Sequence, residues 1–154
     1  SSGTVNKVNG KPAIKNNDGF RVLSVPVTGV STSTLFSVLK MGTGVRGLIV
    51  FSNRLLGVSA TGSALISYAL AGTPLYFGNG ASVGTTRGDV FTAFSGIQAN
   101  FTVTALDLSA WTAYTHGTSA TSPEYLQETI VYGSDKSSDR AAIETNINEY
   151  YSIY

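Results

Sequence analysis

The sequence predicts an all-β fold: an antiparallel β-sandwich or jelly roll of about eight strands, with an extended N-terminal arm and a short C-terminal helix. Three observations carry this. Ile97 to Leu108 (IQANFTVTALDL) alternates apolar and polar residues, with Ile97, Ala99, Phe101, Val103 and Ala105 on one face and Gln98, Asn100, Thr102 and Thr104 on the other, as a half-buried antiparallel strand requires. Other apolar runs recur about every ten residues between glycine-rich turns, the spacing of a sandwich rather than of βαβ units. The polar surface is neutral: 19 Ser and 18 Thr stand beside only 12% charged residues, too few for long solvated helices or a coiled coil.

Residues 1–19 (SSGTVNKVNGKPAIKNNDG) read as the arm, rich in Ser, Asn, Lys and Gly. Val5, Val8 and Ile14 are its apolar anchors, and Lys7, Lys11 and Lys15 suit an acidic partner. Residues 20–154 read as a single β-sandwich domain. Phe20 to Thr28 is a strand whose Pro26 marks an edge or bulge. Thr34 to Met41 fits a helical turn or a strand, and its short length and flanking hydroxyls favour the strand. Val45 to Arg54 and Ala64 to Leu70 are apolar strands. Leu75 to Phe77 is a short one before the Gly78-Asn79-Gly80 turn, and Val90 to Phe94 begins another. Ala110 to Thr115 continues the long alternating strand after a bend at Ser109.

Ser122-Pro123-Glu124 has the composition of a helix start, yet Leu126, Glu128, Ile130 and Tyr132 alternate as a strand would. Ile143, Ile147, Tyr150, Tyr151 and Tyr154 form one helical stripe, placing a helix near 138–152. At roughly 1.5–3 kcal/mol per large apolar side chain buried, that stripe must pack on its own sheet or on another copy.

Charge is polarised. Residues 1–54 carry seven Lys and Arg against Asp18 alone, and residues 107–154 carry two against seven acids. The two ends complement each other, within a chain or between copies. No basic cluster is interleaved with aromatics, which argues against nucleic acid. No run approaches the ~20 apolar residues of a membrane span, and Ser1-Ser2-Gly3-Thr4 has no secretory signal pattern.

Chemistry is sparse. With no Cys and one His, His116, no ordinary zinc site is expected, and no catalytic residue, metal or cofactor is expected. Gly42 to Gly47 matches G-x-G-x-x-G on letters, but LIVFSN follows with strand character instead of the helix a dinucleotide needs. A serine triad would have to run through His116. Asp89 and Asp107 are the best pair for glycoside hydrolysis, in no distinctive context. Asn16 to Gly19, dense in side-chain oxygens, reads as a turn. Arg87-Gly88-Asp89 spells an adhesion tripeptide in what reads as an exposed loop. Asn100-Phe101-Thr102 is a glycosylation sequon on the polar strand face, hence at the surface. Trp111, Tyr114, Tyr150, Tyr151 and Tyr154 are candidate interface aromatics. Together with Tyr68 and Tyr76, these aromatics, the C-terminal tyrosines included, also suit a sugar platform.

The lysine- and asparagine-bearing start (SSGTVNKVNGKPAIKNN), the hydroxyl-rich strands (GVSTSTLFSV, GVSATGSALISYALAG) and the aromatic end (NEYYSIY) together resemble tailed-phage virion structural proteins of the head cement or decoration type. The resemblance implies a β-rich body in a homo-oligomer, foremost a trimer, that clamps the major capsid protein or other coat subunits. It implies location on the virion, or otherwise outside the cell, and no contact with nucleic acid or membrane. A carbohydrate-binding or adhesin module and a phage tail or fibre subunit are the alternative readings.

Overall fold

In the computed structural model the longest strands sit at the centre of one sheet. The structure describes residues 5–15, 23–26, 30–42, 49–51, 54–56, 73–109, 113–116 and 125–154. Strand β5 (Val30–Lys40) pairs antiparallel with β10 (Gln98–Leu108) on one side and with β12 (Tyr125–Tyr132) on the other. β8 (Leu75–Gly78) and β9 (Ala81–Ser82) extend the sheet beyond β10, and β3 (Ile14–Lys15) extends it beyond β12. The order is β3-β12-β5-β10-β8-β9. A second sheet of order β4-β11-β6-β7 is built from β4 (Leu23–Pro26), β6 (Ile49–Phe51), β7 (Arg54–Leu56) and β11 (Ala113–His116). A separate hairpin joins β1 (Lys7–Val8) to β2 (Lys11–Pro12). All these pairings are antiparallel, as expected, and a helix, α2 (Arg140–Tyr151), ends the chain.

The central strands β5 and β10 are buried on both faces over most of their length, and side chains opposite each other in an antiparallel pair share a face. Leu35, Leu39, Ala99, Phe101, Val103 and Leu126 lie on one face, in a core that includes Val90 and Phe94 of the short helix α1 (Arg87–Phe94). Phe36 and Val38 lie on the other, packed with Ile147 and Tyr151 of α2. The polar side of the alternating strand therefore does not meet water: Asn100, Thr102 and Thr104 are all buried. Alternation reports two unlike faces, not which one is wet, and here the terminal helix covers the second. The sequon is placed accordingly, with Asn100 inside the fold.

Several expected elements take another form. Val90 to Phe94 is helical. Thr86 Oγ1 accepts the Asp89 N–H at 3.2 Å and Asp89 Oδ2 accepts the Thr86 N–H at 3.0 Å, a reciprocal N-terminal cap. Val90 and Phe94, four residues apart, then fall on one buried helical face. Arg87-Gly88-Asp89 is thus the first turn of α1 rather than a loop. The expected single strand Val45 to Arg54 resolves into parts of two, since Ile49 pairs with Leu56 and Phe51 with Arg54. The glycine run before it is followed by β6, not by a helix.

Tyr125 to Tyr132 is a strand, so helix does not continue from Ser122-Pro123-Glu124, a start that lies outside the described residues. A bulge at Gln127 reverses the facing: Leu126 pairs with Leu39, but Glu128 pairs with Val38. Glu128, Ile130 and Tyr132 thereby face α2 while Leu126 faces the opposite core. A second bulge follows Val103, where Ala105 takes φ 53° and keeps Leu106 and Leu108 in the core.

The extended arm is the largest correction. Residues 7–12 form a hairpin because Asn9 and Gly10 adopt φ 47° and 73°, the left-handed pair that a tight two-residue turn demands. Asn79 and Gly80 make the same turn between β8 and β9. Ile14 and Lys15 then pair with Leu126 and Tyr125 as the edge of the large sheet. The expected strand Ala64 to Leu70 and the Asn17-Asp18-Gly19 turn lie outside the described residues.

Candidate functional site

The outer edge of the six-stranded sheet is stepped. Among the described residues, β3 pairs with only Tyr125 and Leu126 of the eight-residue β12, and no strand pairs with that edge from Glu128 to Tyr132. Beside this stretch lies an open groove of about 740 Å³ between β12 and α2. Its apolar lining includes Ile130, Tyr132, Ile143 and Ile147, and it carries Glu128 and Asp139. Gln127 and Ala13 show why β3 stops so early. The Gln127 side chain donates to the carbonyl oxygen of Val8 at 3.1 Å, and the Ala13 N–H donates to Asn6 O at 2.8 Å. The chain is turned into the hairpin there instead of running on along β12.

The hairpin is fastened at one end of the groove. Asn9 Nδ2 donates to Ser152 O at 2.8 Å, and the Lys11 ammonium sits 3.9 Å from the Tyr150 ring centroid, a cation–π contact. Beyond α2 the chain folds back on Asn148, whose Oδ1 accepts the N–H groups of Ile153 and Tyr154, both at 2.9 Å. At the other end, the Lys136 ammonium lies 3.2 Å from Asp139 Oδ2 and 5.7 Å from the Tyr132 ring centroid.

The anticipated arm residues thus divide. Val5 and Ile14 are exposed, with Lys7 and Lys15; Val8 and Lys11 are half-buried against the body. The aromatic stripe divides too. Tyr151 is buried, while Tyr150 and Tyr154 are 56% and 55% exposed. Burial, and secondarily the charge of Glu128, push the Tyr151 phenol up to about 12. Tyr114 lies in β11 in register with Val25 and Phe51, and Trp111 lies outside the described residues. Glu128, Ile130 and Tyr132 were missed as site residues, because only the bulge turns them toward the helix.

A polar seam runs beneath α2. Glu144, 2% exposed, pairs with Arg140, whose guanidinium stacks 3.8 Å from the Phe77 ring centroid and donates to Gly80 O at 3.3 Å. Glu144 Oε1, both amide atoms of Asn100 and the hydroxyls of Thr102 and Thr104 are buried without a hydrogen-bond partner. Covering these groups with the helix has a cost, since an unsatisfied buried polar group loses about 1–3 kcal/mol, and the apolar packing of Ile147 and Tyr151 on Phe36 and Val38 offsets it.

The carboxylates considered for acid–base work serve local structure. Hydrogen bonds from Thr86 hold Asp89 below its ordinary value, and those from Ser109 do the same for Asp107. Both stay ionised at neutral pH, whereas a general acid needs its value raised. Among the described residues no three His, Asp or Glu side chains are grouped to hold a metal, and no helix is long and apolar enough to cross a membrane. His116 is the last residue of β11, in register with Leu23. Comparison with family models, with curated proteins and with solved structures finds no match to this chain.

Proposed function

We propose that the chain is a non-catalytic virion structural protein that binds and stabilises a capsid shell as a cement or decoration subunit, acting as a homo-oligomer. The observation that carries the binding part of this reading is the stepped edge of β12 with its apolar groove. A strand edge offers unpaired backbone donors and acceptors to an incoming chain, and soluble proteins ordinarily blunt such edges. Here Ile130, Tyr132 and Ile143 line the adjoining surface instead. The low charge and the hydroxyl-rich composition fit a subunit whose work is contact. The capsid setting rests on the resemblance in sequence style.

We further propose that the two larger sheets pack face to face as a sandwich. The core face is buried along β5 from Ser33 to Leu39 and along β10 from Ala99 to Leu108. Strands of 11 residues span roughly 36 Å, whereas the eight-residue α1 spans roughly 12 Å. A second layer is needed to cover the remainder.

The test uses particles purified from the source of this sequence. Mass spectrometry and immunogold labelling should find the chain on the shell exterior at a fixed ratio to the coat protein. Its absence from purified particles would remove the virion reading. Labelling confined to tails would favour the fibre alternative, and specific signals on a glycan array would favour the carbohydrate-binding one.

A further inference from the structure

We infer that the stepped β12 edge docks onto the same edge of a second copy of this chain, antiparallel and about a two-fold axis. This rests on the binding role proposed above and names one occupant of that surface. The argument is the polarity of the edge. At the β3 end stand the exposed Lys15 and Lys7, with Lys11 at the mouth of the groove on Tyr150. At the far end Asp135 and Asp139 are exposed; of the neighbouring cations, Lys136 pairs with Asp139 and Arg140 is taken up by Glu144. Ile130, Tyr132 and Ile143 lie between. A two-fold interface brings each patch onto its own copy, so the charges at its ends favour it only when the two ends are of opposite sign. This edge meets that condition: antiparallel docking lays the lysine end of one copy on the aspartate end of the other, twice.

The step supplies shape as well as charge. β3 projects beside Tyr125 and Leu126 and leaves a recess from Glu128 to Tyr132. Two such edges related by a two-fold axis interlock, each projecting β3 entering the other's recess. The bends at Gly133 and Ser134 turn the chain out of the strand where the partner's β3 must pass. A strand added there pairs its backbone with β12 and shields the apolar lining from water.

Light scattering on size-exclusion fractions of the intact chain tests this. The expected mass is twice 16.1 kDa, with dissociation on dilution and at high salt. Lys15→Glu should weaken the dimer at least tenfold, since like charges then face each other across the interface. The double variant Lys15→Glu, Asp139→Lys should restore it to within about threefold. Melting temperatures close to that of the parent would show that both variants fold. A monomer at all concentrations, a trimer, or a double variant that restores nothing would each overturn the inference. Shell attachment is read separately: a monomer still found on particles defeats only the self-docking, whereas a dimer absent from particles defeats only the shell reading.

Discussion

Replacing Thr102 by valine should stabilise this protein, although the substitution removes a hydroxyl from the centre of a strand. Thr102 is fully buried, opposite Phe36 on one neighbouring strand and Phe77 on the other. Its hydroxyl has no hydrogen-bond partner. Valine has nearly the same shape, so neither cavity nor overpacking follows. An unsatisfied buried hydroxyl costs about 1–3 kcal/mol, and the substitution recovers most of this, about 1–2 kcal/mol. For a chain of this length 1 kcal/mol corresponds to roughly 2–4 °C, so the melting temperature should rise by about 3–6 °C. Differential scanning calorimetry reads it directly. An unchanged melting temperature would mean that the hydroxyl is hydrated and that α2 does not cover this face. A fall of the same size would mean that the hydroxyl is bonded, and the polar seam as described would be wrong.

Three further outcomes follow from the same packing. A Cβ added at Gly78 runs into the Phe94 ring, so Gly78→Ala should lose about 1–3 kcal/mol by overpacking, read by urea denaturation. Thr86→Ala removes half of the reciprocal cap on α1 and should lose about 1 kcal/mol in the same assay. The Tyr151 phenol is held protonated by burial and by Glu128. The folded state therefore keeps this proton more tightly than the unfolded chain, and its contribution is complete below pH 10. That contribution should fall as the pH rises from about 10 toward 12. Tyr151→Phe should flatten this part of the alkaline unfolding curve.

The sequence disclosed the strand-rich class and the terminal helix because both rest on periodicity. β10 was legible from its alternation, and α2 from the spacing of Ile143, Ile147 and Tyr151. What stayed hidden was whatever a single residue decides. The bulge at Gln127 turns Glu128, Ile130 and Tyr132 from one face to the other, and no count of apolar positions reveals it. Asn9-Gly10 is a strong hairpin signal, yet the lysines around it suggested a free arm, and only the pairing of Ile14 with Leu126 shows the segment joined to the sheet. α1 was obscured because Val90, Phe91 and Phe94 favour strands by composition, while the Thr86–Asp89 cap commits the segment to helix. The groove lies between two consecutive elements, β12 and α2, but which of their faces meet is set by the bulge and by the connection between them, and neither periodicity contains that.

Hydrogen–deuterium exchange on the chain, free in dilute solution and bound to its particle, asks the question in the most direct way. If the open edge of β12 is where this protein holds its neighbours, those amides between Glu128 and Tyr132 that point away from β5 should exchange readily when free and gain strong protection when bound. Equal exchange in the two states, with protection arising on another surface, would contradict the assignment of this edge.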